Sequence, residues 1–293
     1  MTLEQLRVFV MVAKTLNMRE AAEKLYLTQP AVSSAIAALE NRYGTKLFDR
    51  VGRGLELNEV GRLFLPEAQN VLATAKEASR LFDDLSGLLR GDLCVAASQT
   101  VATYYLPRYM ARFASAHPGL SLRLMVGNTA QAIARVISGE ADMGVIEGHV
   151  DESSLAIETI KGDSFGFYVA PTHFLAGCVP RRRDLLKAQW VLREAGSGTR
   201  DYVADSLKAQ FGLTLSDLTI RLGLPSNDAV LEAVMEGELM TAETDLAATL
   251  RLQAGLIQRL DYDLGTRNYY IIRHRERRVS HAVQKFSALI RER

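Results

Sequence analysis

The chain has 293 residues, a length typical of about two domains. Hydrophobic residues make up 48% and charged residues 24% of it, which are proportions of an ordinary globular protein and exclude a disordered chain. Lys and Arg number 35 and Asp and Glu number 34, so the net charge of +1 does not indicate a polyanionic partner. Any sequence evidence for nucleic-acid binding must therefore come from local patterns of residues.

The sequence shows no feature of a membrane, secreted or metal-dependent protein. It contains no stretch of about 18 uninterrupted apolar residues, and Glu4 and Arg7 interrupt any apolar core of a signal peptide. Cys94 and Cys178 are too few for a disulfide framework or a four-ligand zinc site. We therefore expect a cytoplasmic chain with no membrane contact and no metal.

The first part of the chain predicts three short helices. Apolar residues recur at steps of three and four in the first, and a second is expected over about residues 18–25, capped by Asn17. Thr28 is the expected cap of the third, whose first turn tolerates Pro30 because that position needs no hydrogen-bond donor. Gly44 would end it, after a buried stripe. The stripe residues are Val32, Ile36, Leu39 and Tyr43.

A tight turn before the third helix makes this pattern a helix-turn-helix. The start of the third helix carries short or amide side chains that can approach bases and phosphates, namely Gln29, Ser33 and Ser34. An ordinary three-helix bundle is the alternative. Residues 46–57 favour the first interpretation, because they predict two short strands around a glycine turn, with Arg50 and Arg53 near its tip. Such a basic wing suits the phosphate backbone or the minor groove of DNA.

A long helix is expected from the cap Asn58 to about Leu89, bent in its first third by Pro66. Its apolar residues alternate steps of four and three, and this repeat predicts pairing with a second helix along one seam. The alternative is a helix packed on its own domain. A self-pairing helix beside a DNA reader would give a homodimer with two readers. The seam residues are Phe64, Ala68, Val71, Ala75, Ala78, Phe82, Leu85 and Leu89.

The remaining residues predict an α/β fold with a largely parallel sheet, because short apolar strands alternate with helices. Helices that open at Asn128 and Asn227 each follow a strand and end at Gly-Glu, which indicates two similar lobes. The basic segment from Arg267 to the end is interpreted as a solvated face. The expected strands are 93–97, 120–126, 143–147, 165–169, 190–193, 218–224 and 269–273.

Polar residues follow three of these strands, where α/β proteins place their ligands beside helix N-termini. They lie at 98–100, 128–129 and 196–200. The last group combines two glycines, two hydroxyls and Arg200, whose guanidinium can form two parallel hydrogen bonds with a carboxylate or other oxyanion. The alternative is that Ser and Thr at these positions are plain helix caps.

Five runs together resemble the LysR-type bacterial transcription regulators, and the resemblance continues at lower density along the whole chain. It implies a winged helix-turn-helix DNA-binding domain over 1–58, a dimerisation helix over 59–89 and an effector-binding domain over 90–293. The last would have a periplasmic-binding-protein-like fold, with one lobe of 91–162 and 266–293 and a second of 163–265. The runs are LEQLRVF at 3–9, EAAEKL at 20–25, TQPAVS at 28–33, IAALE at 36–40 and KLFDR at 46–50.

The resemblance also implies roles for single residues. Thr28, Gln29, Pro30 and Ser33 match DNA-contact positions, whereas Ser34 and Ala35 stand where many relatives have Arg or Gln, so DNA shape would carry more of the specificity. Segments of the second part look like the subgroup with small inorganic or carboxylate anions as effectors, although the Glu-rich residues 236–244 would add carboxylates to the cleft rim. The expected effector residues are Ser98, Gln99, Thr100, Asn128, Thr129, Glu147, Ser197, Thr199, Arg200 and Asn227.

No catalytic constellation is visible. The five histidines lack paired ligand spacing, no serine sits in a GxSxG context and no strand is followed by a phosphate-binding glycine loop. We therefore expect no enzyme, cofactor or metal. The expected protein is a transcription regulator that binds double-stranded promoter DNA as a homodimer or homotetramer, responds to a small co-inducer and has RNA polymerase as a further candidate partner. A two-lobed solute-binding protein or transferase on the same fold is the alternative.

Overall fold

The computed structural model describes residues 1–52, 54–85, 91–148 and 150–291. Its elements form two compact units, one built from the elements between Leu3 and Leu85 and the other from those between Gly91 and Arg291. Within the described ranges, no helix is long and apolar enough to cross a membrane.

The first unit contains the three predicted short helices, the predicted hairpin and the long helix. Asn17 and Thr28 accept hydrogen bonds from backbone N–H groups of the helices that they cap, and Gly44 ends the third helix at a φ of 64°. Asn58 likewise accepts from the N–H of Gly61 at 2.8 Å. The elements are α1 (Leu3–Thr15), α2 (Met18–Leu25), α3 (Gln29–Tyr43), the antiparallel strands β1 (Phe48–Val51) and β2 (Gly54–Leu57), and α4 (Glu59–Leu85).

Phe9 holds the core of the first unit together. Its ring lies 5.6 Å from that of Phe48 and 5.0 Å from that of Phe64, so α1 contacts both the hairpin and α4. Val32, Ile36 and Leu39 of α3 are buried in the same core, as predicted, but Tyr43 is 56% exposed. Including Tyr43 in the buried stripe was wrong, because the last turn of α3 extends past the core.

The second unit is built on one mixed sheet of eight strands in the order β4-β3-β5-β10-β6-β9-β7-β8. Short turns precede α5, at Val101–Tyr105, and β8, at Leu215–Asp217. The strands and helices are β3 (Gly91–Ser98), α5 (Leu106–Ala116), β4 (Leu120–Gly127), α6 (Thr129–Ile137), β5 (Met143–Glu147), β6 (Leu155–Val169), α7 (Arg182–Lys187), β7 (Gln189–Arg193), α8 (Gly198–Phe211), β8 (Thr219–Leu224), α9 (Asn227–Met235), β9 (Leu239–Thr244), α10 (Asp245–Gln253), β10 (Gln258–His274) and α11 (His281–Arg291).

The expected largely parallel sheet is wrong at its centre. The strands on either side pair in parallel, β3 with β4 and β5, and β7 with β8 and β9. At the centre, β10 is antiparallel to β5 and to β6, and β6 is antiparallel to β9. The reason is topological: the chain leaves the first half of the sheet along β6 and returns along β10, and these two strands must run in opposite directions.

Among the described residues, four hydrophobic clusters flank this crossing, two in each half. The buried residues of one pair lie up to Ile160 and from Tyr269 onward, and those of the other pair lie from Phe165 to Leu264. The lobe boundaries expected from the sequence, near 162 and 266, lie within the two crossing segments. Each half therefore buries its own apolar side chains, and polar groups are left where the carboxyl ends of the parallel strands of both halves meet.

Candidate functional sites

The first candidate site is the exposed start of α3. Thr28 accepts a hydrogen bond from the N–H of Ala31 at 3.4 Å, which fixes the first turn. Gln29, Pro30, Ser33 and Ser34 are all exposed, while the opposite face of the helix is buried in the core. The free helix terminus carries a partial positive charge beside short polar side chains, an arrangement that can hold a phosphate and approach base edges.

Tyr26 adds to this surface. It ends α2 in the left-handed conformation, with a φ of 56°, and is 96% exposed. A large aromatic ring is thus held in solvent beside the exposed start of α3. This exposure cannot be predicted from the residue type alone, because aromatic side chains are more often buried.

The hairpin forms the expected wing. Arg50 is exposed and pairs across the ladder with Leu55, and Gly52 takes a φ of 61° at the tip. Arg53 lies outside the described residues. The described part of the wing therefore presents one arginine of the two that were expected.

The predicted seam of α4 divides into two parts. Phe64 contacts Phe9, and Ala68 is completely buried in the core of the first unit, so Ala68 cannot face a second helix and the prediction is corrected there. Val71 is 42% exposed, Ala75 is half-buried and Ala78 is exposed. Phe82, Leu85 and Leu89 lie outside the part of the chain whose side chains the structure describes.

The second candidate site lies where the two halves of the sheet meet. Asn227 donates from Nδ2 to Oγ1 of Thr100 at 2.9 Å, and the Oγ1 atoms of Thr100 and Thr199 are 3.4 Å apart. Thr129 donates its hydroxyl to the carbonyl of Glu147 at 2.9 Å and accepts from the N–H of Gly198 at 3.1 Å. The structure thus brings together groups that the sequence placed after four different strands.

This contact depends on a glycine at the start of α8. A Cβ atom added to Gly198 would lie 2.4 Å from the carbonyl oxygen of Glu147 and 2.7 Å from Oγ1 of Thr129. Those distances are closer than van der Waals contact, so only glycine lets α8 approach the end of β5 this closely. The buried polar residues of the site, all within 5% exposure, are Ser98, Thr100, Thr129, Glu147, Ser197, Thr199, Asn227, Arg193, Arg267 and Glu243.

Three further expected effector residues, Arg200, Asn128 and Gln99, are less buried than the residues above. Arg200 donates from Nη1 to the carbonyl of Arg193 at 2.7 Å, so one arm of its guanidinium is bound to backbone. Asn128 is half-exposed and its Oδ1 accepts from the N–H of Gln131 at 2.9 Å, which is a helix-cap role. Gln99 is half-buried, and its Oε1 is buried without a partner.

Arg267 is the central side chain that sequence reasoning missed. It is 5% exposed, so the interpretation of the basic carboxy-terminal segment as a solvated face is wrong at this residue. Its Nε and Nη2 atoms bind Asp163 at 2.7 and 3.0 Å, and its Nη1 donates to Oγ1 of Thr199 at 3.2 Å. The guanidinium also stacks 4.4 Å from the ring centre of Phe165.

A second buried guanidinium, that of Arg193, is bound to Asn227 of the same site. Arg193 binds Glu194 through Nε and Nη2 at 2.9 and 3.1 Å, and its Nη1 donates a hydrogen bond to Oδ1 of Asn227. Both arginines therefore hold a carboxylate and a neutral side chain of the cleft. Among the described residues, no cluster of His, Cys, Asp and Glu could hold a metal ion.

Two further carboxylates are buried here. Glu147 accepts from the hydroxyl of Ser98, and its pKa is raised because burial outweighs the attraction of Arg267. Burial raises the pKa of Glu243 to about 7, even though its Oε1 accepts from the N–H of Thr244 at 2.9 Å. The other oxygen of Glu243 has no hydrogen-bond partner.

The extra carboxylates of residues 236–244 are therefore distributed differently from expectation. Glu236 and Glu238 precede β9 and lie beside Gln189 and Arg221, at the edge where the parallel strands begin. Only Glu243, at the other end of β9, reaches the site, and it is in the interior and not on the rim. Both faces of β9 are buried from Met240 to Thr244, so a carboxylate at position 243 lies in the interior, which composition does not show.

The comparisons with known proteins match both units of the chain. Residues 3–62 match the family model described as "Bacterial regulatory helix-turn-helix protein, lysR family", and residues 86–293 match "LysR substrate binding domain". The "Uncharacterized HTH-type transcriptional regulator YeiE" of Escherichia coli K12 is 34% identical over 287 residues, covering 97% of this chain and 95% of the relative. The regulator CysL of Bacillus subtilis is 34% identical over 79% of this chain and 77% of its own.

A solved structure has the same fold over the whole length. Full-length CbnR, crystallised in complex with its target DNA, superposes with a TM-score of 0.70 at 21% sequence identity, covering 99% of both chains. Family models match most of the chain, in the order helix-turn-helix and then substrate-binding domain. The chain therefore belongs to the LysR family and is a DNA-binding transcriptional regulator with an effector-binding domain.

Proposed function

We propose that this regulator binds a small anionic metabolite in the cleft of its second unit and that the ligand changes its interaction with promoter DNA. The observation that carries the proposal is the convergence of Thr100, Thr129, Thr199 and Asn227, whose polar atoms lie within 3.5 Å of one another or of the adjoining backbone. Three helices, α6, α8 and α9, begin at these residues, and their N-termini favour negative charge.

We further propose that the chain is not an enzyme and that it acts in the cytoplasm, where a bacterial promoter is found. The helix-turn-helix match and the regulator names of its relatives support this over a solute-binding protein or a transferase of the same fold. RNA polymerase remains a candidate partner, because a regulator at a promoter acts on transcription initiation.

A test of the effector site uses Thr199→Val, which keeps the shape of the side chain and removes the hydroxyl that joins Arg267 to Thr100. The full chain is screened by thermal shift against sulfate, phosphate, hydrogencarbonate and oxalate, since a ligand that binds the folded state raises the melting temperature. We expect the variant to bind the anion found in this screen about tenfold more weakly than the wild type does, because it has lost one hydrogen bond to a charged group.

The matched control is Thr249→Val, the same change at an exposed helical position of the same unit. It should leave both the thermal shift and the effect of the ligand on DNA affinity as in the wild type. Equal losses in the two variants, or an unaltered response in Thr199→Val, would place the ligand outside the cleft.

We propose that the exposed part of the α4 seam pairs two copies of the chain, and that two such dimers form a tetramer. Ala75→Glu puts a charge on this seam, and burying it without a partner costs several kcal/mol, roughly. We expect sedimentation to show a smaller species and operator binding to weaken. Asn70→Glu introduces the same charge at an exposed position that is neither three nor four residues from Val71, Ala75 or Ala78, so it is the control and should leave the assembly intact. An unchanged assembly in Ala75→Glu would mean that the copies pair elsewhere.

A further inference from the structure

Glu243 is a completely buried carboxylate whose Oε2 has no hydrogen-bond partner. Its Oε1 is satisfied by the N–H of Thr244. An ionised carboxylate that has one bare oxygen in the interior is costly, because it has lost water and gained only one donor. Such a group is stable either with a proton or with a donor brought by a ligand.

The charged groups around Glu243 do not supply that donor. Arg267 and Arg193 act on it electrostatically, but each already holds another carboxylate, Asp163 or Glu194, through two nitrogens. Asp163 opposes ionisation of Glu243, and the Tyr104 phenol on the turn before α5 is affected by the same carboxylate. The nearby cations are therefore committed.

Glu147, the other buried acid of the site, is placed differently. Its Oε2 accepts from the hydroxyl of Ser98, and its Oε1 lies 3.9 Å from Nη1 of Arg267. It therefore has a donor and a share of a guanidinium. Of these two acids, Glu243 is the one with an unused oxygen, and it is the first candidate for a proton.

We propose that the cleft binds its anionic effector together with one proton, which Glu243 takes up. The inference rests on the proposed anionic ligand, because an anion that enters this site adds its charge to those of Glu147 and Glu243. Protonation of Glu243 removes one of these charges and turns Oε2 from an acceptor into a donor. The proton comes from bulk water and its buffer, and no other bond forms or breaks.

Near neutral pH, protonation of Glu243 requires little free energy. Burial raises the pKa of Glu243 to about 7, so the acid and the carboxylate are about equally populated at that pH without ligand. Binding an anion should then draw in about half a proton per site at pH 7. Above this pH, the apparent affinity should fall about tenfold for each further pH unit, since one proton must be taken up per anion bound.

The test measures calorimetric binding of sulfate, phosphate, hydrogencarbonate and oxalate to the full chain. For sulfate and oxalate, whose own charges do not change between pH 6 and 8.5, titrations at pH 7 in buffers of different ionisation enthalpy give the number of protons taken up. Titrations of the same two anions from pH 6 to 8.5 give the slope of the affinity. Glu243→Gln carries a permanent N–H donor and no charge. We expect its affinity to be independent of pH, without proton uptake, and about tenfold higher than that of the wild type at pH 8. Glu238→Gln, at the other end of β9, should behave as the wild type.

A variant that merely damaged the fold would not gain affinity at pH 8, so the result is specific. Anion binding without proton uptake, or with the same uptake in Glu243→Gln, overturns this inference and leaves the proposed function standing. Binding that strengthens as the pH rises also overturns it. If none of the four anions binds even at pH 6, the proposed ligand class fails and this inference fails with it.

Discussion

Replacing Arg267 with alanine should lower the free energy of unfolding by about 3–5 kcal/mol, the cost typical of removing one partner from a buried ion pair. Asp163 is 6% exposed and receives two hydrogen bonds from this guanidinium. Without Arg267 it would remain a buried charge with no cation, and Thr199 would lose a charged donor. Urea unfolding monitored by circular dichroism measures the loss.

Two further variants make this measurement specific. Arg291→Ala removes the same side chain from a pair with Glu158 whose members are 47% and 32% exposed, and an exposed pair contributes about 1 kcal/mol or less. The double change Arg267→Ala with Asp163→Ala should be less destabilising than the sum of the two single changes, because no charge is left alone. A loss in Arg267→Ala no greater than that in Arg291→Ala would contradict the central role of the buried pair.

Ser33→Asp should abolish specific DNA binding and leave the fold intact. Ser33 is exposed on the face of α3 that carries Gln29, so a carboxylate there would meet phosphate and base edges of a docked duplex. Repulsion from the phosphates adds to the lost contact, and we expect an affinity reduced at least to the nonspecific level, roughly a thousandfold. Fluorescence anisotropy with operator DNA at fixed salt measures it.

The control introduces the same carboxylate elsewhere on the same helix. Asn41→Asp lies at the exposed C-terminal end of α3, about two turns beyond the last of the expected DNA contacts. It should retain most of the operator affinity, and both variants should melt near the wild-type temperature. Equal loss in the two variants would show that net charge, and not the position on α3, controls binding.

The sequence by itself was sufficient to predict the local structure of the first unit. Asn17, Thr28 and Asn58 cap the helices that they were expected to cap, because a cap is a contact between residues two or three positions apart. Each expected strand of the second unit overlaps an observed one for the same reason, since an apolar run is a local property, but residues 155–164 of β6 and 258–268 of β10 were not predicted. The strand β9 was missed because its inward residues include Thr241 and Glu243, which break the apolar pattern although they are buried.

The seam of α4 shows where a periodic pattern becomes ambiguous. The same spacing suits a helix packed on its own unit and a helix packed on a second copy, and Ala68 takes the first of these. Val71 and Ala78, further along, are exposed. The periodicity determined which face of the helix is apolar, but only the length of the folded unit beside it decided where that face is covered.

The chemistry of the cleft was decided by the tertiary structure. Asp163 and Arg267 lie 104 positions apart, and the antiparallel pairing of β6 with β10 is what places them together. From residue type, Arg200 was the expected cation of the cleft and Arg267 was assigned to a solvated face. In the structure, Arg200 donates a hydrogen bond to a backbone carbonyl and Arg267 is buried. Helix caps and the periodicity of apolar residues depend on near neighbours in the sequence and can be predicted from it. Burial and charge pairing depend on which distant strands pair in the fold.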